Sequence, residues 1–247
     1  MAKMPFKSSI RRATKILELV HSDISGPMRT PTPEGHRFAI NFVDDASRLV
    51  VIYLMKNKSE ALQKLKEFET NYGTPQILNV GALKEELNAP QSTMQNESSD
   101  TSPRLRALRT DNGGEYISRE FTKYCQDRRI KRELTIARTP EQNGVAERNW
   151  RTLFDMVRSM LNQGNMEPKW WGRALVAAAY TRNRCLTNGL KNNQTPFEAF
   201  TGKKPDVSNL RMFGSKVITL NDDPNKGKLD NRGIEGIFVG YRDEKSY

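Results

Sequence analysis

Cysteine and histidine are almost missing from this chain of 247 residues, which holds only Cys125 and Cys185, and only His21 and His36. No Cys-x-x-Cys and no His/Cys pair stands at zinc-ligand spacing, which argues against a structural zinc centre and against a disulfide framework. Both cysteines are expected to be buried thiols. Long apolar runs are missing as well. No stretch approaches the roughly 20 residues that cross a bilayer, and the start of the chain carries no signal-peptide pattern. The expectation is a soluble, intracellular protein with no membrane partner.

Positive charge, in contrast, is abundant and unevenly placed. The formal net charge is +11; residues 1–103 carry 13 basic and 12 acidic groups, and residues 104–247 carry 27 and 17. A basic half suits a polyanionic partner, because lysines and arginines draw in phosphates. A well-solvated surface has the same composition, so charge alone does not decide. The length allows one substantial core with a small appendage.

The informative stretch runs from Leu108 to Arg151. It opens with Leu108-Arg109-Thr110-Asp111-Asn112-Gly113-Gly114-Glu115-Tyr116, an apolar strand that delivers a carboxylate into a glycine turn. Further on, Thr139-Pro140-Glu141-Gln142-Asn143-Gly144-Val145-Ala146-Glu147-Arg148 reads as a loop that hands Glu147 to the first turn of a helix. That helix has an apolar stripe of Ala146, Trp150, Leu153, Phe154, Val157, Met160 and Leu161. The opposite stripe is Glu147, Arg151, Asp155 and Arg158, so Arg151 stands one turn after Glu147, placed either to meet a phosphate or to form an ordinary i, i+4 ion pair.

Elsewhere, Arg37 to Val43 and Arg48 to Met55 read as a hairpin joined at Asp44-Asp45, acids assigned to the turn rather than to metal. Ser59 to Tyr72 reads as a helix stopped by Gly73. Leu105 to Thr110 reads as a strand, Ser118 to Arg129 as a capped helix, and Ile130 to Ile136 as a strand. Pro168 opens a helix whose Trp170 and Trp171 sit beside alanines at helical spacing, as core residues do. A short helix starts at Thr195-Pro196 and stops at Gly202, and short β runs follow at Leu210–Gly214, Lys216–Leu220 and Gly236–Tyr241.

The two acid-bearing motifs resemble the catalytic core of retroviral-type integrases, and the Arg-Thr-Asp-Asn-Gly-Gly-Glu-Tyr and Gln-Asn-Gly-Val-Ala-Glu-Arg wording resembles the copia branch of LTR retrotransposons. The resemblance runs from about residue 3 to residue 241. It implies an RNase H-like α/β fold, a mixed five-stranded sheet flanked by helices and followed by a helical extension and a small partial β module. The implied domains are a basic linker at 1–16 from an upstream zinc-binding domain, a core at 17–165, a helical extension at 166–205 and a truncated SH3-like module at 206–247. Residues 74–103 are an insertion relative to the family, expected to be disordered.

A third carboxylate is implied on an earlier strand, and Asp23 supplies it, ending the run from Leu17 ahead of Gly26-Pro27. Asp23, Asp111 and Glu147 are then the catalytic residues and the metal ligands. Oxygen ligands without His or Cys select Mg2+ or Mn2+, here two ions for phosphoryl transfer. The implied activity is nicking of element DNA ends and joining of the 3′-hydroxyl to target DNA. Gln142, Asn143, Gly144, Arg148, Arg151 and Arg158 are the candidate DNA contacts. Double-stranded DNA and further copies of the chain are the implied partners, and the nucleus the implied location. Ala137-Arg138 stand where the family has Pro-Tyr, and Glu141 where it has Gln, which bears on the loop and on end recognition. The contrasting readings are an RNase H-like nuclease, and a remnant integrase that binds nucleic acid without catalysis.

Overall fold

The computed structural model describes residues 12–73, 104–135, 144–190, 193–222, 224–225, 227 and 231–241. The expected insertion, most of the basic linker and the loop at 136–143 lie outside them. Five strands form one sheet: β1 (Val20–Ser25), β2 (Phe38–Asp44), β3 (Val50–Met55), β4 (Ala107–Thr110) and β5 (Lys131–Leu134). Their order is β3-β2-β1-β4-β5, with β1/β2 and β2/β3 antiparallel and β1/β4 and β4/β5 parallel. This is the mixed five-stranded sheet expected, and it is open.

The sequence of β2, Phe-Ala-Ile-Asn-Phe-Val-Asp, is apolar on both faces because both faces are covered. Ile40 and Phe42 join Leu65 and Phe68 of α1 (Ala61–Tyr72), together with Tyr116 of the one-turn α2 (Gly114–Ile117) and Phe121 of α3 (Arg119–Asp127). Ala39 and Val43 face the other way, onto Trp150, Leu153 and Val157 of α4 (Gly144–Gln163) and Ala174, Leu175 and Ala178 of α5 (Trp171–Asn183). Helices thus cover both faces of the central strands.

Asp44 and Asp45 build the β2–β3 turn, as assigned, and also dock the chain that enters β1. Asp44 accepts from Ser47 N–H at 2.7 Å and from Leu17 N–H at 2.8 Å. Asp45 accepts from Ala13 N–H at 2.7 Å, pairs with Arg48 at 2.8 Å and meets His21 Nε2 at 3.2 Å. Burial opposes ionisation of Asp45, but His21, Ala13 N–H and Arg48 outweigh it and hold the carboxyl down at about 2. Because this lies below the ordinary carboxylate value, the stabilisation is complete above about pH 4 and is lost as pH falls through about 2. Asp45→Asn should therefore cost about 2 kcal/mol at neutral pH, with a deficit that shrinks towards pH 2. Urea unfolding at stepped pH checks this; a deficit constant with pH would rule the account out.

Several local expectations need correction. Leu17 to Leu19 is a turn, with Leu17 at φ 60, so β1 starts at Val20 and Asp23 lies inside the strand rather than at its end. The helix α2 was not foreseen. Trp171 is core, but Trp170 is half-buried and outside the cluster. Leu210–Gly214 forms no strand; Ser215 N–H closes a turn on Met212 O, and Phe213 plugs the core beside α5. The last hairpin pairs β6 (Lys216–Leu220) with β7 (Gly233–Ile237), an earlier span than expected, leaving Val239 and Tyr241 to pack against the α4/α5 cluster. Cys125 is buried as expected and Cys185 is exposed. Among the described residues no helix is long and apolar enough to cross a membrane.

α6 (Pro196–Thr201) behaves as its sequence says: Thr195 Oγ1 caps Glu198 N–H at 3.1 Å and Gly202 stops the helix at φ 73. The expected Ser118 cap is also present, accepting from Phe121 N–H at 3.2 Å.

Candidate active site

The parallel pairing of β1 and β4 aligns Val20 with Leu108 and His21 with Arg109. Continuing that register brings Asp111, the first residue beyond β4, level with Asp23. Asp111 leaves the carboxyl end of β4 and Asp23 lies in the carboxyl-terminal half of the parallel β1, towards the usual mouth of an open α/β sheet. Both also lie on the sheet face covered by α4, since alternate residues share a face.

Asp23 is half-buried. Its Oδ1 accepts from Ile24 N–H at 2.9 Å, and its own N–H donates to Asn41 Oδ1 at 2.9 Å. Burial raises its carboxyl to about 6; the Asp111 charge adds to the rise, Ile24 N–H opposes it, Glu147 adds again, and the Trp150 indole opposes. Trp150 Nε1 is buried without a hydrogen bond of ordinary geometry, so it acts on Asp23 as a nearby dipole rather than as a full donor.

Asp111 Oδ1 accepts from Gly113 N–H at 3.0 Å, and Asn112 Nδ2 fastens the turn to Thr135 O at 2.9 Å. Glycine at 113 is a matter of space. A Cβ there would lie 2.8 Å from Glu115 Oε1 and 3.1 Å from Asp111 Oδ1. Glu115 is therefore a fourth carboxylate beside Asp111, and it faces Lys58 Nζ at 3.7 Å. Behind this turn Tyr116, fully buried, shares a hydrogen bond of 3.0 Å with Ser22 Oγ and fixes α2 to β1. Burial drives its phenol well above the ordinary range; the Ser22 bond opposes, and Asp23, Asp111 and Glu115 push it further up.

Glu147 stands exposed in the first turn of α4, where the helix N-terminus favours a negative charge. Asn41 Nδ2 reaches Ala146 O, the residue before it, at 3.4 Å. The three expected carboxylates thus come to one end of the sheet, close enough for Asp111 and Glu147 both to raise Asp23. They do not converge to ligand distance: among the described residues no three His, Cys, Asp or Glu side chains are gathered closely enough to hold a metal ion. None of the three makes an ion pair among the described residues. An all-oxygen donor set with uncompensated negative charge fits a hard divalent cation.

Of the expected DNA contacts, Gln142 and Asn143 lie outside the described residues. Gly144 is buried at the start of α4, under the Arg148 guanidinium, which would stand 3.3 Å from a Cβ there. Arg148 and Arg151 are exposed and make no ion pair among the described residues, so the Glu147–Arg151 pair weighed from the sequence does not form. Arg158 is taken up by Asp155. The sequence reading missed Asn41, Glu115, Tyr116 and the Trp150 indole. A signal for Asn41 existed, as the one amide inside the apolar run from Phe38 to Val43.

No protein-family model matches the chain. It is 35% identical over 243 residues to the retrovirus-related Pol polyprotein from transposon TNT 1-94 of Nicotiana tabacum, covering 98% of this chain and 16% of that polyprotein. To the Pol polyprotein from transposon RE1 of Arabidopsis thaliana it is 26% identical over 240 residues, covering 97% of this chain and 14% of that one. The chain therefore spans no more than 16% of the length of these curated relatives. Among solved structures, a chain of the simian T-cell lymphotropic virus intasome in complex with PP2A regulatory subunit B56 gamma superposes with TM-score 0.58 at 19% identity, covering 96% of this chain and 73% of that one. The HTLV-2 integrase catalytic core domain in complex with magnesium, in its trimeric form, gives TM-score 0.50 at 15% identity, covering 74% and 96%. By its relatives and its fold together, the chain is homologous to a part of the copia-type retrovirus-related Pol polyproteins and has the RNase H-like fold seen in retroviral integrase catalytic cores.

Proposed function

We propose that the chain is a retrotransposon integrase core acting as a metal-dependent polynucleotidyl transferase, which nicks element DNA ends and joins the 3′-hydroxyl to target DNA. The observation that carries the reading is the carboxylate set Asp23, Asp111 and Glu147, electrostatically coupled through Asp23 and lacking a cationic partner among the described residues. The Pol polyprotein relatives and the likeness to an integrase core in complex with magnesium support it.

In this reading Asp23, Asp111 and Glu147 hold Mg2+ or Mn2+, two ions in all. When bound, such ions supply Lewis acidity and charge neutralisation for an in-line phosphoryl transfer. The chain itself supplies position. One acid stands inside a strand, one directly after the strand paired with it and one on a long helix, all set on stiffer supports than a free loop. Arg151, one turn along α4 from Glu147, and the adjacent Arg148, neither in an ion pair among the described residues, offer guanidinium groups to DNA phosphates. Cleavage by water breaks one phosphodiester and leaves a 3′-hydroxyl; in joining, that hydroxyl forms one phosphodiester as it displaces another. We assign the catalytic unit to 17–165, the helical extension to 166–205 and the small β module to 206–247. Double-stranded DNA, a homo-oligomeric assembly and a nuclear place of action belong to the same proposal.

The test is a nicking and strand-transfer assay on labelled duplex DNA with a 3′-hydroxyl end. Products that need Mg2+ or Mn2+ and stop with chelator support the reading. A chain that binds DNA yet never cuts it is instead a non-catalytic remnant. Within the reading, Gly113→Ala should lower the nicking rate about tenfold or more while barely moving the melting temperature, because the new methyl crowds the Glu115 carboxylate at 2.8 Å and Asp111 Oδ1 at 3.1 Å. Unchanged nicking in a folded Gly113→Ala chain would remove the role given to the Asp111 turn.

A further inference from the structure

We infer that Asn41 is a positioning residue that sets the separation between the strand carrying Asp23 and the helical turn carrying Glu147. The inference rests on the integrase reading of this site. Asn41 is completely buried in β2, between Ile40 and Phe42. An amide in such a place is costly unless its polar atoms are hydrogen-bonded, and an aliphatic residue would serve the core as its neighbours do.

Both polar atoms of Asn41 are used, and both lead to the site. Its Oδ1 accepts from the main-chain N–H of Asp23 at 2.9 Å, and its Nδ2 donates to the main-chain oxygen of Ala146 at 3.4 Å. The two roles fix which way the amide faces, since only its nitrogen can donate and only its oxygen can accept. Asn41 is also the cross-strand partner of Asp23, so the two side chains leave the same face of the sheet, the one that α4 covers.

Elsewhere between the sheet and α4 the contact is apolar, with Trp150, Leu153 and Val157 in one buried cluster with Ala39 and Val43 of β2. Apolar packing is non-directional and tolerates small shifts of a helix along a sheet. A hydrogen-bonded amide does not. Asn41 therefore adds a directional tie at the end of α4 where Glu147 stands, one residue beyond the carbonyl it holds. Because the three carboxylates share the site without converging, the placing of that turn decides how readily they close on a cation.

The experiment compares the parent chain, Asn41→Leu, Asn41→Thr and, as reference, Glu147→Gln. Three quantities are read: melting temperature in chelator, Mn2+ affinity by titration calorimetry, and kcat and KM for nicking of duplex DNA. Asn41→Leu should melt within a few degrees of the parent, bind Mn2+ at least about tenfold more weakly, and lose at least about tenfold in kcat with KM for DNA unchanged. Asn41→Thr, whose hydroxyl keeps part of the bonding, should fall between the two. Parent-like Mn2+ affinity and kcat in Asn41→Leu would overturn the inference, as would losses of kcat, KM and melting temperature that move together in both variants. Should Asn41→Leu not fold, Asn41→Thr decides by the same readings. A parent chain that neither binds Mn2+ nor cuts DNA removes the integrase reading and this inference with it, whereas an active parent with parent-like variants removes the inference alone.

Discussion

Glu147→Gln should abolish metal-dependent nicking and joining, by at least about 10³-fold, while the chain stays folded. Glu147 is exposed in the first turn of α4 and makes no ion pair among the described residues, so its exchange for an amide of the same shape touches no packing. The loss of a favourable charge at the helix N-terminus costs only about 0.5 kcal/mol. What changes is the anionic set: Asp23 loses one of the two charges that raise its carboxyl, and a hard cation loses one ligand. Nicking rates in Mg2+ and in Mn2+, read beside circular dichroism and melting curves, separate the two effects. Activity within tenfold of the parent in a folded variant would remove Glu147 from the machinery. Mn2+ affinity should fall as well, which ties the loss to the metal rather than to DNA binding.

The second large effect lies in the core. Phe42→Ala should destabilise the chain by about 3–5 kcal/mol and lower its melting temperature by roughly 10 °C. Phe42 is 1% exposed in β2, its ring stacked on Phe68 at 4.7 Å and edge-on to Tyr53 at 6.0 Å. It therefore joins the sheet to α1, and truncation leaves a cavity that neighbours on two elements cannot both collapse to fill. Denaturant unfolding should show a lower midpoint with a nearly unchanged slope. A loss below about 1 kcal/mol would mean that the α1 side of the sheet repacks freely, contrary to the dense contact seen.

These two residues also show how differently the chain can be read. Glu147 was legible because its neighbours are unusual: a Gln-Asn-Gly loop followed by an apolar stripe at helical spacing marks both a helix start and an acid in its first turn. Asp111 was legible for the same kind of reason, in a strand running into Asn-Gly-Gly. The Phe42 contact with Phe68 was not, because a run with apolar residues on both faces says that both faces are covered but not by what.

Local errors share one cause. Leu17 to Leu19 looks extended, yet Asp44, far away along the chain, takes the Leu17 N–H and bends it into a turn. Leu210 to Gly214 looks like a strand, yet Phe213 is drawn into the α4/α5 cluster and no strand pairs there. In both places a tertiary contact overrode a local preference, and such contacts have no signature in a window of neighbouring residues.

Through the resemblance that its motifs carry, the sequence by itself determined the fold class and pointed to the three acids; the strongly periodic helix and strand spans and the turn role of Asp44-Asp45 are written in residues close together along the chain. Only the tertiary structure decided that Asp23 lies level with Asp111 inside its strand, that Glu115 and Tyr116 stand against them, that Arg158 is occupied while Arg148 and Arg151 make no ion pair among the described residues, and that Asn41 bridges β1 to α4. The reason is register. Which residues meet across parallel strands, or between a sheet and a helix, depends on how the whole core packs, and a shift of one residue would send each of these side chains to the opposite face.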